Sequence, residues 1–268
     1  MMKKVDRKAD SKLKILLFDV ETAPCRGYMW SLWKEAGSMS FVEADWYLLC
    51  WAAKWLGSKQ VMSSGLTDFD GYKKSPENDK EVLQKLWKLL DEADIVIAHN
   101  GAQFDRCKVN SRFVANGIMP PAPYRIIDTL QVARKTFAFT SNRLNDLGEA
   151  LRVGKKLDTG GFGLWKKCGS GDPKAWKKMV AYCKRDVLLL ERVYLKLRPF
   201  MEQHPTVVME PSDALCLKCG SDKIHYRGYG YTNLSKFRKY SCTACGGWGR
   251  ERVNLLPKET RQLLGSNC

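Results

Sequence analysis

Hydrophobic positions along the chain fall into two patterns. Short unbroken runs, such as "LKILLFDVE" (Leu13–Glu21) and "IVIAH" (Ile95–His99), predict buried strands, because a strand covered on both faces has no polar side to alternate with. "YLLCWAAKWLG" and "KQVMSSGLTD" flank Gly57-Ser58 and predict an antiparallel hairpin. Longer stretches repeat at helical spacing. "SPENDKEVLQKLWKLLDEAD" carries a start signal at Ser75-Pro76, followed by Val82, Leu83, Leu86, Trp87 and Leu90 on one face. A second helix is expected from Phe104 to Ala115. "YRIIDTLQVAR" reads as a strand passing into a helix, and "SNRLNDLGEALRV" as an amphipathic segment. The clearest helix is "GDPKAWKKMVAYCKRDVLLLERVYLKL". Asp172 caps it, Pro173 fits the first turn, and Trp176, Met179, Val180, Cys183, Val187, Leu190 and Tyr194 share an apolar face.

The order strand, hairpin, helix, strand, helix, strand, helices gives an α/β domain, a mixed sheet with helices on its faces. We assign it residues 1–198. Thr22 to Asp45, rich in aromatics (Tyr28, Trp30, Trp33, Phe41), is too long for a turn and is expected as a loop or short helix. Pro199, Pro205 and Pro211 mark a linker at 199–212, followed by a small unit at 213–252 and a tail at 253–268. There is no internal repeat.

Composition narrows the class. A chain of 268 residues with 44% hydrophobic content supports a real core. No apolar run approaches the roughly 20 residues needed to cross a bilayer, and "MMKKVDRKADSK" lacks the apolar segment of a signal peptide. The expectation is a soluble, cytoplasmic protein without a membrane partner. Lys and Arg outnumber Asp and Glu by 45 to 29, a net charge of +16, which suits a polyanion such as nucleic acid.

On this basic background the placement of some acids is unusual. Asp19 and Glu21 sit at i and i+2 where the first strand leaves its sheet, and so point the same way. Asp105 follows the second buried strand. Asp186 lies among apolar neighbours in the last helix, one turn after Tyr182. Four carboxylates meeting at one place would repel, and burial would worsen this. A pair of hard divalent cations, Mg²⁺ or Mn²⁺, reverses the balance, and two ions roughly 3.5–4 Å apart suit phosphodiester chemistry.

"FDVET" (Asp19, Glu21), "NGAQFD" (Asn100 through Phe104 to Asp105) and "YCKRD" (Tyr182, Asp186) resemble, in order, the three exonuclease motifs of the DEDD-type (DnaQ-like) 3′–5′ exonucleases of the ribonuclease-H-like superfamily. The second motif is most similar to the proofreading domains of B-family DNA polymerases. "IIDTLQVAR" and "LNDLGEALRVGKK" resemble the family's intervening segments. Five residues before the last Asp stands Ala181 rather than His, and four before it stands Tyr182, as in the tyrosine subtype. The resemblance implies a ribonuclease-H-like fold and metal-dependent hydrolysis of 3′ ends, most simply of single-stranded DNA, with RNA as the other substrate and a silent binding module as the rival. It makes Asp19, Glu21, Asp105 and Asp186 ligands of two Mg²⁺ or Mn²⁺ ions. It assigns Tyr182 the orientation of the attacking water, and it places Asn100 and Phe104 near the nucleic acid. Trp30 and Trp33 are expected either to stack bases or simply to pack. Asp128 is expected to be a structural hydrogen-bonding residue and His99 a packing residue.

Near the C-terminus, "CLKCG" and "CTACG" place Cys216, Cys219, Cys242 and Cys245 in two C-x-x-C-G knuckles. Four thiolates at this spacing suit one structural Zn²⁺, and the pattern resembles a zinc ribbon. Between Ser212 and Arg252 there are eight Lys/Arg, Lys236, Arg238 and Lys239 among them, and three Asp/Glu. Tyr and Trp residues are interleaved. That mixture suits single-stranded nucleic acid, while a replication or repair protein docking on the ribbon is the rival expectation.

Overall fold

The computed structural model describes residues 13–28, 41–208 and 215–263. Trp30 and Trp33 lie outside them. The chain divides into two compact units, Lys14–Tyr194 and one that begins at Leu195. No helix among the described residues is long and apolar enough to cross a membrane.

In the first unit the elements run in this order: β1 (Ile15–Thr22), β2 (Arg26–Gly27), β3 (Val42–Ala44), β4 (Leu48–Trp55), β5 (Met62–Gly65), α1 (Lys80–Glu92), β6 (Ile95–Ala98), α2 (Asp105–Ala115), β7 (Arg125–Asp128), α3 (Thr129–Thr136), α4 (Leu144–Ala150), α5 (Gly163–Gly169) and α6 (Pro173–Leu197). Five strands form one mixed sheet in the order β5-β4-β1-β6-β7. β1 is central, antiparallel to β4 and parallel to β6, while β6 is parallel to β7. This is the expected α/β architecture, ribonuclease-H-like with helices against a mixed sheet. The core lies where the patterns placed it: Leu16, Leu17, Phe18, Val82, Leu83, Leu86, Ile97, Met179, Val187 and Leu190 are all buried.

One detail of register creates the cleft. β1 pairs with β6 only from Ile15↔Ile95 to Leu17↔Ile97, and β6 ends at Ala98. Beyond Leu17, β1 continues along β4 alone. The edge from Phe18 to Thr22 therefore lacks a β6 partner, so groups from the loops after β6 and β7 can approach it.

Two expectations need correction. The helix predicted to start at Ser75-Pro76 begins at Lys80 instead. Asp79, just before it, is fully buried and spends its carboxylate on tertiary partners: the Leu48 amide (2.8 Å), the Arg112 guanidinium (2.7 and 2.9 Å) and Asn116 Nδ2 (2.9 Å). A carboxylate committed this way anchors α2 to α1 rather than capping the helix, and the turn before it is left unwound. The described part of the Thr22–Asp45 insert is not a plain loop or helix: β2 and β3 pair as a small antiparallel ribbon.

The second unit carries β8 (Ile224–Thr232), β9 (Ser235–Cys242), β10 (Trp248–Arg250) and α7 (Lys258–Leu263), with the strands in one antiparallel sheet ordered β10-β9-β8. Its core is small: Tyr240, Cys216 and Cys242 are buried, with Ile224 and Tyr226 packed against them. Gly249 has to be glycine here, because a Cβ would lie 2.3 Å from the Tyr240 ring.

Candidate active site and metal centres

The strand pleat puts Asp19 and Glu21 on the same side of β1. α6 supplies Asp186 from across the cleft, and one carboxylate oxygen from each of the three lies within 4.8 Å of the others. Asp105 arrives differently. It opens α2, is 2% exposed, and its Oδ1 accepts a hydrogen bond from the Val20 amide at 3.2 Å. That amide belongs to the edge of β1 that β6 leaves unpaired. Asp105 is therefore fastened between Asp19 and Glu21 by the backbone, beside the three-carboxylate cluster.

The loop that delivers Asp105 is held by Asp128. Its carboxylate accepts from Asn100 N (2.9 Å), Ala102 N (3.1 Å) and Leu130 N (3.0 Å), so one side chain caps α3 and pins the turn after β6. The turn is tight. Asn100 has φ +65°, and a Cβ on Gly101 would sit 2.2 Å from Ala98 Cβ. Asn100 thus serves the turn through its backbone, while Phe104 is 40% exposed at the head of α2. His99 Nδ1 lies 2.9 Å from Thr129 Oγ1, and burial lowers its imidazole to about 4, so it stays neutral and structural.

Like charges in a buried place raise one another's pKa values. Burial and then the neighbouring Asp186 carboxylate push Glu21 up to about 8, and burial lifts Asp105 to about 7. Asp19 is held well above the usual carboxylate range by burial, then by Asp105, Glu21 and Asp186. Burial also raises Asp186.

A lysine that the sequence pattern did not single out opposes this. Lys156 Nζ donates to Asp186 Oδ2 at 2.5 Å and to the Tyr182 hydroxyl at 3.0 Å. Burial works against its charge, but Asp186 and Tyr182 together hold it above its ordinary range. Tyr182 is raised as well, by burial and then by Asp186. Trp165 packs edge-on against the Tyr182 ring, with centroids 6.2 Å apart and planes at 73°. Lys156 ends the stretch "LNDLGEALRVGKK", and the chemical signal for it was the cluster itself: buried acids call for a buried cation.

The cluster suits a hard divalent cation on its own geometry. Asp186 is 1% exposed, Lys156 takes only its Oδ2, and its Oδ1 is buried without a hydrogen-bond partner. A buried carboxylate oxygen left unpaired amid two further carboxylates is a cation ligand in waiting.

A family model described as the RNase_H superfamily matches residues 56–198. The chain belongs to the RNase_H superfamily. The matched span holds Asp105, Lys156, Tyr182 and Asp186, and the β1 acids precede it. Among solved structures, the chain is similar in fold to the family B DNA polymerase from the hyperthermophilic archaeon Pyrobaculum calidifontis, with a TM-score of 0.51 at 15% identity over 70% of this chain. The likeness spans 25% of the polymerase chain. No curated protein matches the sequence. Within this RNase_H superfamily chain Asp19 and Glu21 stand in the carboxyl-terminal half of β1, Asp105 opens the helix that follows β6, and Asp186 comes from α6.

The four cysteines of the second unit also converge. Sγ atoms of Cys216 and Cys245 are 3.7 Å apart, as are those of Cys219 and Cys242, and all four lie within 4.8 Å of one another. A tetrahedron with arms of about 2.3 Å has edges of about 3.8 Å, so the spacing fits Zn²⁺ thiolate coordination. Both knuckles turn through a left-handed glycine, Gly220 (φ +74°) and Gly246 (φ +76°).

The residues grouped as one basic run do not share a face. Lys236 pairs with Tyr231 and Arg238 with Tyr229, while Lys239 pairs with Arg250. Alternation along β9 puts Lys239 on the opposite side from Lys236 and Arg238.

Proposed function

We propose that this chain is a metal-dependent 3′–5′ exonuclease of the DEDD type, tyrosine subtype, acting on single-stranded DNA ends. The observation that carries the reading is the buried, unpartnered Oδ1 of Asp186, a member of the cluster with Asp19 and Glu21, while Lys156 binds both its Oδ2 and the Tyr182 hydroxyl. Membership of a nuclease superfamily and fold similarity to a DNA polymerase support it. The motif order supports the 3′–5′ direction.

Asp19, Glu21, Asp105 and Asp186 would hold two Mg²⁺ or Mn²⁺ ions, which supply water activation and neutralise charge on the phosphodiester as it breaks. The chain's own groups do the positioning. Lys156 joins the Tyr182 hydroxyl and Asp186 in one network, which would hold the phenol ready to orient an attacking water. Trp165 keeps the Tyr182 ring from swinging away. Asp128 and Gly101 hold Asp105 to the β1 edge. The basic surface of the chain attracts the polyanion from solution.

The test is a ladder assay with 5′-labelled strands, DNA and RNA in parallel, each single and duplex. Wild type with Mg²⁺ or Mn²⁺ should shorten the single DNA strand stepwise, and Asp186→Ala should not. Wild type that cleaves neither DNA nor RNA with metal present would sink the enzyme reading. Faster shortening of RNA than of DNA would replace the substrate.

A further inference from the structure

The hairpin of β8 and β9, in the second unit, carries a group of residues of its own. A bulge between Tyr226 and Tyr229, turned by Gly228 at φ +67°, resets the pleat. After it, Tyr229 stands across from Arg238 and Tyr231 across from Lys236, all on the face that holds Tyr226 and Tyr240 nearer the cysteines. Tyr229 is 45% and Tyr231 69% exposed. Lys236 Nζ lies 4.1 Å from the Tyr229 centroid and 6.0 Å from that of Tyr231, and the Arg238 guanidinium lies 3.8 Å from the Tyr226 ring.

Large exposed rings on a small domain lose free energy to water unless something covers them. What covers these has to tolerate two cations. Among the described residues neither Lys236 nor Arg238 makes an ion pair with a carboxylate, and Glu251 accepts instead from the Tyr226 hydroxyl. Two rings at i and i+2 of one strand stand about 7 Å apart, enough for each to take its own base. Lys236 and Arg238, each held against one face of a ring, supply positive charge for the phosphates that join those bases.

We propose that this face of the ribbon is a binding platform for single-stranded nucleic acid, with Tyr229 and Tyr231 stacking successive bases and Lys236 and Arg238 holding the backbone. Lys239, on the reverse face, takes no part. The platform does not depend on catalysis. It would bind a strand even if the acid cluster were inert.

The test uses the full chain carrying Asp186→Asn, so that the probe survives, in zinc-replete buffer free of Mg²⁺ and chelator. The acid cluster then repels the strand and the ribbon's contribution dominates. Anisotropy of a fluorescein-labelled thymidine oligomer reports binding. Tyr229→Ala with Tyr231→Ala should weaken it roughly tenfold or more, and Phe at both positions should restore it, because stacking needs the ring and not the hydroxyl. Lys236→Gln with Arg238→Gln should weaken it and flatten its salt dependence. Lys239→Gln should stay within about twofold. A matched duplex should compete poorly, because its bases are already stacked. Zinc content measured on each variant shows that the ribbon is intact. Unchanged binding by the double Ala variant with zinc in place overturns the proposal and turns the face over to a protein partner. Equal losses from Lys239→Gln and the Lys236/Arg238 pair overturn it as well, because diffuse charge would then explain the binding.

Discussion

Lys156 Nζ lies 2.5 Å from Asp186 Oδ2, making it the one cation bonded to the acid cluster among the described residues. A single ammonium cannot balance Asp19, Glu21, Asp105 and Asp186. It secures one oxygen of one carboxylate and leaves the others in need of further positive charge. The pair therefore ties Tyr182 and Asp186 into one network and leaves the remaining acids unbalanced.

Replacing Lys156 by Met removes that network while keeping the length of the side chain. We expect metal-dependent cleavage to fall about 100-fold, the usual worth of a positioned polar group in a transition state. The loss should appear in kcat rather than in KM, because Lys156 acts through Tyr182 and Asp186. Steady-state kinetics on a labelled strand separate the two, and a loss confined to KM would contradict this role.

Metal and pH should be linked through the same acids. Glu21 rises from an ordinary 4.5 to about 8, and Asp105 from 3.8 to about 7. A carboxylate raised on folding gives its stabilising contribution in full below its unfolded value and loses it as pH climbs through its folded value. Metal-free protein should therefore melt at a lower temperature at pH 8 than at pH 5. Mg²⁺ or Mn²⁺ should raise the melting temperature, and more so at pH 8, since bound cations favour the ionised acids. Thermal scans of protein isolated without chelator, in buffer with no free divalent metal before Mg²⁺ or Mn²⁺ is added, measure this. A metal-induced shift equal at both pH values would argue against the acids as the site.

Gly101 makes a packing prediction that needs no metal. A methyl at this position would stand 2.2 Å from Ala98 Cβ, far inside contact distance. Gly101→Ala should cost roughly 1–3 kcal/mol and displace the turn that carries Asp105. Lower stability with a matching fall in cleavage is expected. A melting temperature equal to wild type would show that the turn yields without strain.

Cys242→Ser should empty the zinc site, because the ribbon's core beyond its cysteines amounts to little more than Tyr240, Ile224 and Tyr226. Elemental analysis should show loss of zinc. The first unit, with its own core, should keep its melting transition. Retention of zinc by the variant would mean that the four thiolates are not the ligands.

The sequence by itself determined the elements and most of their faces. Continuous apolar runs fixed β1 and β6 as interior strands, and the spacing of Trp176, Met179, Cys183, Val187, Leu190 and Tyr194 fixed the buried stripe of α6. Both are local periodicities, visible in one dimension. The spacing of the C-x-x-C knuckles likewise specified four converging thiols, because two short turns leave the cysteines little freedom.

Tertiary structure decided what depends on partners far apart in the chain. Asp79 reads as an ordinary residue before a helix, yet its burial beside Arg112 and Asn116 shifts the start of α1, and only folding brings those groups together. Lys156 is one of 45 cations. It acquires meaning because the chain returns it to within hydrogen-bond reach of Asp186. The same holds for Lys236, Arg238 and Lys239, close in sequence but divided between two faces by the pleat of β9. Periodicity tells a residue which side of its own element it occupies. Which charge that side will meet is settled by sheet register, and register is a property of the whole fold.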